Sequence, residues 1–167
     1  MRQKYVIFQD LDGCITDFQA FSHNMFGEDF ECENPKIPLE NKIEAVKIVP
    51  TFWNCMPWMS DGRILWEYVH RHDPHILSAY APWDYHRCLV GKHDWICNNL
   101  PTIKPTNVHL VARNEKCNYA ISSRLNTSHI LIDDYDKNID EWTSAGGIAI
   151  QHISASYTIE SLQKLGL

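Results

Sequence analysis

Apolar residues in this chain gather into five short runs, at positions 5–8, 75–77, 108–111, 129–132 and 148–150. The longer segments between them carry apolar residues at helical spacing. Strands alternating with helices predict an α/β fold: a Rossmann-like, doubly wound parallel sheet of about five strands covered on both faces. The helices have their own punctuation. Ser60 is placed to cap a helix bearing Ile64, Leu65, Tyr68 and Val69. Asp136 can cap one bearing Ile139 and Trp142, which Gly146 and Gly147 would end before the fifth strand. A closing helix is predicted over about 156–165.

One connection departs from this rhythm. From Asp17 to about Pro57, some forty residues pass without a strong strand pattern, where strand-to-helix loops usually need about two to six. Phe18, Phe21, Met25 and Phe26 fall near one helical face, and Ile43, Val46 and Lys47 suggest a second short helix after the proline break at 35–38. Residues 18–57 are therefore expected to form a small helical cap inserted after strand 1, with 1–17 and 58–167 making the core domain.

The cap would stand over Asp10-Leu11-Asp12-Gly13, where the first apolar run ends. Residues two apart on a strand share a face, so two like charges meet at the strand tip, and both ionise comfortably only beside a cation or a proton. Asp-Gly is also a common turn dipeptide, which leaves an acidic turn as the plain alternative for this motif taken alone.

The other strand ends weigh on that choice, because ligands of open parallel sheets bind beyond the carboxyl ends of the strands. The second run leads into Ser78 and Ala79, where a hydroxyl and the next backbone N–H could hold a phosphate oxygen, although serine there is commonly a turn former. The third leads into Arg113-Asn114-Glu115-Lys116. With Asn114 as N-cap, Lys116 would lie in a first helical turn, where the dipole disfavours a cation by about a few tenths of a kcal/mol or more. A nearby anion would compensate, or the lysine is simply solvated. Lys104, on a proline-flanked loop, is a weaker candidate. The fourth run closes in Asp133-Asp134. Four acids around one point demand a cation, and magnesium, which prefers carboxylate and phosphate oxygens, suits them.

Composition narrows the partners. The chain has 167 residues, enough for one domain with a proper core. Its 15 Lys and Arg against 21 Asp and Glu give a net charge of −6, which weighs against duplex nucleic acid. There is no membrane-spanning apolar stretch, and Met1-Arg2-Gln3-Lys4 leads straight into a strand pattern rather than a signal-peptide apolar region, so a soluble, cytoplasmic protein is expected. Six cysteines without a C-x-x-C pair suggest free thiols, and nine histidines lack metalloprotease spacing.

Taken in order, Asp10-Leu11-Asp12-Gly13-Cys14-Ile15-Thr16-Asp17, Ser78, Lys116 and Ile132-Asp133-Asp134 resemble the four motifs of the haloacid-dehalogenase-like (HAD) phosphohydrolase superfamily. The stretches Lys116-Cys117-Asn118-Tyr119-Ala120, Ile130-Leu131-Ile132-Asp133-Asp134 and Asn138-Ile139-Asp140-Glu141-Trp142 look most like its 5'(3')-deoxyribonucleotidase group. The resemblance implies a sheet ordered 5-4-1-2-3. It implies Asp10 as nucleophile forming an aspartyl-phosphate and Asp12 as general acid and then general base. Mg2+ would be held by Asp10, the carbonyl of Asp12 and a carboxylate of Asp133 or Asp134, with Asp134 the expected direct ligand. Ser78, the Ala79 backbone and Lys116 would bind the phosphoryl group.

The implied substrate is a small phosphate ester, a deoxynucleoside monophosphate foremost. Phe18, Phe52 and Trp53 are the expected contacts to its base, with Trp58 also flanking the opening, whereas Phe21, Met25 and Phe26 read as cap core. The same chemistry would serve another small ester or a nucleic-acid 3'-phosphate end. A phospho-accepting receiver or a non-catalytic interaction module on this fold is the reading from a different class. Base, sugar, 5' or 3' preference and oligomeric state, a dimer included, stay open.

Overall fold

The fold is described over residues 4–167 in a computed structural model. Met1, Arg2 and Gln3, part of the expected lead into the first strand, lie outside the described residues. The first apolar run forms β1 (Lys4–Gln9) at the centre of a five-stranded sheet. On one side lie β2 (His75–Ala79) and β3 (Val108–Val111), on the other β4 (Thr127–Asp133) and β5 (Ile148–Gln151). Every pairing is parallel, and the order β3-β2-β1-β4-β5 is the expected 5-4-1-2-3 read from the opposite edge.

Both faces of the sheet are buried, which is why its central strands are nearly continuous apolar runs rather than alternating ones. Ile7, Ile76, Ile130, Ile132 and Ile150 point into one cluster. It is completed by α3 (Gly62–Val69), α4 (Tyr85–Asn99) and α6 (Ala155–Lys164) through Leu65, Val69, Trp95, Ile96 and Leu162. Phe8, Leu77 and Leu131 point the other way, onto Trp142 of α5 (Asp136–Ser144).

Two expected caps are reassigned. Asp61, not Ser60, stands at the N-cap of α3, and its Oδ2 accepts the backbone N–H of Ala155 at 2.6 Å, so it ties α3 to α6. Tyr135 is the N-cap of α5 and Asp136 its first residue. The Tyr135 N–H is taken by Asp133 Oδ1 at 3.0 Å, so an acid at the end of β4 does part of the work assigned to Asp136. The closing helix begins near where it was expected, with Ser154 Oγ accepting from Tyr157 N–H.

The segment after β1 contains α1 (Phe18–Phe26) and α2 (Leu39–Lys47). Asp17 caps α1, its Oδ1 accepting from Ala20 N–H at 2.8 Å. Between the two helices the chain is pinned by a buried lysine. Lys42 Nζ donates to Asp29 O at 2.6 Å and Phe30 O at 3.1 Å, and stands 2.8 Å from Glu28 Oε1. The Glu28 carboxylate also accepts the backbone N–H groups of Lys36 and Ile37. This knot holds Phe30 against Trp83, rings stacked 5.5 Å apart, and joins Phe30, Val46, Phe52, Trp53 and Met56 to the core cluster of the sheet.

These bonds hold the Glu28 carboxyl at about 2, well below its ordinary 4.5. A carboxyl depressed in the folded state stabilises the fold above its unfolded value, and that contribution disappears as pH falls through the folded value. Lys42→Met is expected to lower the melting temperature at pH 7. It should also flatten the loss of stability between about pH 4.5 and 2 relative to wild type, as read by thermal denaturation across that range.

Candidate active site

Beyond Gln9 the chain leaves the sheet and turns sharply. Asp10 N–H still bonds Ile132 O of the neighbouring strand at 2.9 Å, and then the N–H groups of Ile15 and Thr16 fold back onto Leu11 O. Gly13 makes the turn with φ +77°. A Cβ there would lie 2.0 Å from Asp134 Oδ2, so two acidic loops approach at a spacing only glycine allows. Asp10, Asp133 and Asp134 each bring an oxygen within 4.8 Å of the others.

Two ammonium groups answer this negative charge. Lys116 is buried on the 3₁₀ segment Arg113–Tyr119. Its Nζ donates to Asp133 Oδ2 at 2.7 Å and stands 3.0 Å from Asp10 Oδ1, an ion pair without hydrogen-bond geometry that leaves this oxygen buried and without a donor. Asn114 lies inside the segment and Ala112 is its N-cap, so the expected capping role of Asn114 is not the one seen. The anions that compensate Lys116 are the two aspartates.

The second ammonium, Lys92 on α4, was not anticipated. Its Nζ donates to Asp12 Oδ2 at 2.5 Å, to Ser78 Oγ at 3.1 Å and to Ala79 O at 2.7 Å. Its position in the pattern Cys88, Gly91, Lys92, Trp95, Ile96, the buried face of α4, was the available signal: a lysine within an apolar stripe needs a buried partner. Asp12 Oδ1 accepts from Thr16 Oγ1 at 2.8 Å, which fixes the other side of that carboxylate.

Burial of these acids shows in their proton affinities. Desolvation, partly offset by Lys116 and reinforced by Asp133 and Asp12, pushes Asp10 up to about 7. Asp134 is pushed up to about 6, by desolvation first and then by Asp133. Asp133 is wholly buried. Its two oxygens take Lys116 Nζ, Asn138 Nδ2 and the Tyr135 N–H, so they are already engaged. Asp10 and Asp134, together with the backbone of the turn, are the groups that could hold a cation, and an all-oxygen set of this kind fits a hard divalent ion.

Two joined cavities open onto this centre. One, of about 460 Å³, is lined by Asp10, Asp12, Gly13, Lys116, Asp134 and Arg113, among others. Arg113 stands there braced by Glu141 at 2.9 and 3.1 Å and by Asn138 at 3.0 Å. The other, of about 300 Å³, is walled by Phe18, Phe30, Trp53, Tyr80 and Trp83, with Gln19 and Glu31 at its polar edge. Asp12, Phe18, Gln19 and Ala79 line both.

The structure thus brings Asp10, Asp12, Ser78, Ala79, Lys116, Asp133 and Asp134 to one rim, and Phe18 and Trp53 to the adjoining aromatic cavity. Phe52 lines neither cavity. It is fully buried among Phe18, Phe21 and Trp53, because the turn that exposes one ring of the Phe52-Trp53 pair to the cavity directs the other into the core. Trp58 also lines neither. It packs on Trp95, and its Nε1 donates to Asn99 Oδ1. Phe30, Tyr80 and Trp83 take the places expected for them.

Comparison with solved structures finds chains that share this fold. The chain is similar to a HAD-superfamily hydrolase from Ehrlichia chaffeensis, with a TM-score of 0.52 and 12% identity over 100% of both chains. It is also similar to a hydrolase from Streptococcus pneumoniae TIGR4, with a TM-score of 0.50 and 12% identity over 98% of this chain and 100% of that one. No protein-family model and no curated protein matches the chain.

An acid raised in the folded state binds its proton more tightly there, so its contribution to stability is lost as pH rises from its unfolded value through its folded one. For Asp10 that window runs from about 3.8 to 7. In chelator, Asp10→Asn is expected to melt higher than wild type above pH 7, with the difference shrinking toward pH 4. Thermal denaturation of both proteins over that range checks it.

Proposed function

We propose that this protein is a magnesium-dependent phosphomonoesterase acting on nucleoside monophosphates, deoxynucleotides foremost, through an aspartyl-phosphate on Asp10. The observation that carries the reading is the junction of an acid-and-lysine cavity with an aromatic one at the Asp12 carboxylate. A phosphoryl group in the first would place a planar leaving group in the second, with Asp12 at the bond between them.

In the first half-reaction an Asp10 carboxylate oxygen attacks phosphorus. The new O–P bond forms as the ester P–O bond breaks, and Asp12 gives a proton to the departing oxygen. In the second, water attacks the phosphorus of the aspartyl-phosphate and Asp12 takes the water proton, which frees Asp10 and inorganic phosphate. Lys116, fixed between Asp10 and Asp133, supplies positive charge that needs no rearrangement as the equatorial oxygens gain charge. Ser78 is fully buried and lines neither cavity, so its hydroxyl stands behind the rim as an acceptor for Lys92, and Ala79 is the residue of that strand end that lines both cavities.

Magnesium would be held by Asp10, Asp134 and the Asp12 carbonyl, and would neutralise charge on the phosphoryl group and orient it. Asp133 serves as the anchor of Lys116 and Asn138. The walls of the aromatic cavity, Phe18, Trp53 and Trp83, suit stacking on a base, an interaction of about 1 to 3 kcal/mol.

Phosphate release from a nucleotide panel tests the reading. Asp10→Asn is expected to lower the rate by at least about a thousandfold, and chelation of magnesium to abolish it. Trp83→Ala should raise KM for a nucleotide by about ten- to a hundredfold while leaving a small non-aromatic phosphate ester nearly unaffected. Equal effects on both esters would remove the base from the proposal.

A further inference from the structure

Lys92 is a buried charged group at the site that the phosphoryl-transfer scheme leaves without a task of its own. It is 3% exposed, and its ammonium makes three hydrogen bonds, to Asp12 Oδ2, Ser78 Oγ and Ala79 O, as many as it has protons. Those acceptors belong to two different segments of the chain. Asp12 lies on the turn after β1, whereas Ser78 and Ala79 end β2.

Its location sharpens the role. Lys92 lines the aromatic cavity together with Asp12 and is absent from the lining of the acid-and-lysine cavity, where Lys116 stands. Its Nζ is 5.8 Å from the centre of the Trp53 ring, on the wall where a leaving group would rest. With Thr16 Oγ1 on Oδ1 and Lys92 on Oδ2, the Asp12 carboxyl is gripped from both sides and has one orientation to offer. The two lysines thus divide the site: Lys116 faces the transferring group and Lys92 the departing one.

We infer that Lys92 is a positioning residue that aims the Asp12 carboxyl at the leaving-group oxygen and locks it to the Ser78 strand end. This rests on the phosphomonoesterase reading above. Departure of an alkoxide requires the proton that Asp12 delivers, whereas a good aryl leaving group departs without it. Loss of aim therefore harms the two kinds of ester unequally.

The test compares an alkyl phosphate with p-nitrophenyl phosphate, in magnesium, for the wild type, Lys92→Met and Lys92→Gln, with melting curves for each. Wild type is expected to turn over both. Lys92→Met should lose about a hundredfold or more in kcat on the alkyl ester and less than about tenfold on the aryl ester, since a general acid is worth about 10² to 10⁴. Lys116→Met, which removes the charge that lines the acid-and-lysine cavity, should slow both esters alike. Equal losses on the two esters for Lys92→Met overturn the positioning role and leave the phosphatase reading standing. A wild type that releases phosphate from neither overturns the phosphatase reading and this role with it. If Lys92→Met does not fold, the same ratio is read on Lys92→Gln. Failure of both to fold overturns the role by making Lys92 a residue of the fold alone.

Discussion

Four carboxylates converging on one sheet rim are the constraint from which the rest of this molecule follows. Asp10 and Asp133 are buried, and Asp12 and Asp134 stand beside them nearer to solvent, so their mutual repulsion is only partly screened by water. The protein meets that repulsion with two lysines drawn from separate elements, Lys116 from the 3₁₀ segment after β3 and Lys92 from α4. Each lysine settles one part of the cluster. Asp10 remains above its ordinary proton affinity even so, because burial outweighs the help of Lys116 and the neighbouring acids add to it.

The scaffold positions these groups by simple means. Parallel strands in register bring the ends of β1, β2 and β4 to one rim. Gly13 lets the Asp134 loop press against the first turn, and Asp133 spends its lone pairs on Lys116, Asn138 and the start of α5. The Lys42–Glu28 knot holds the Phe30 loop, one wall of the aromatic cavity, so that cavity depends on a buried ion pair that does not itself line it. Breaking such a pair leaves a buried charge unpaired, which is why the cavity wall and the fold share that weakness.

The sheet was legible from the sequence because both of its faces are covered, so that its strands read as short apolar runs in any window. The rim acids were legible because Asp-x-Asp-Gly and Asp-Asp sit directly after such runs, where no packing need explains them. Other features were hidden for physical reasons. Ser60 and Asp136 have capping chemistry, yet neighbouring residues took the cap positions because tertiary partners, Ala155 for Asp61 and the β4 end for Tyr135, decided them. The rings at 52 and 53 are alike in composition, and only the packing of α1 reveals that Trp53 reaches the cavity and Phe52 does not. Lys92 is written into the sequence as a charge on an apolar face, a pattern legible only after the helix phase is known.

The central claim is that Asp10 attacks phosphorus, and trapping the intermediate tests it most directly. Protein mixed with a nucleoside monophosphate and magnesium is quenched in acid within a turnover, reduced with borohydride and digested. Mass spectrometry should then find homoserine at position 10, the product of reducing an aspartyl-phosphate. Steady phosphate release accompanied by an unmodified Asp10, or by a modified residue elsewhere, would contradict the account.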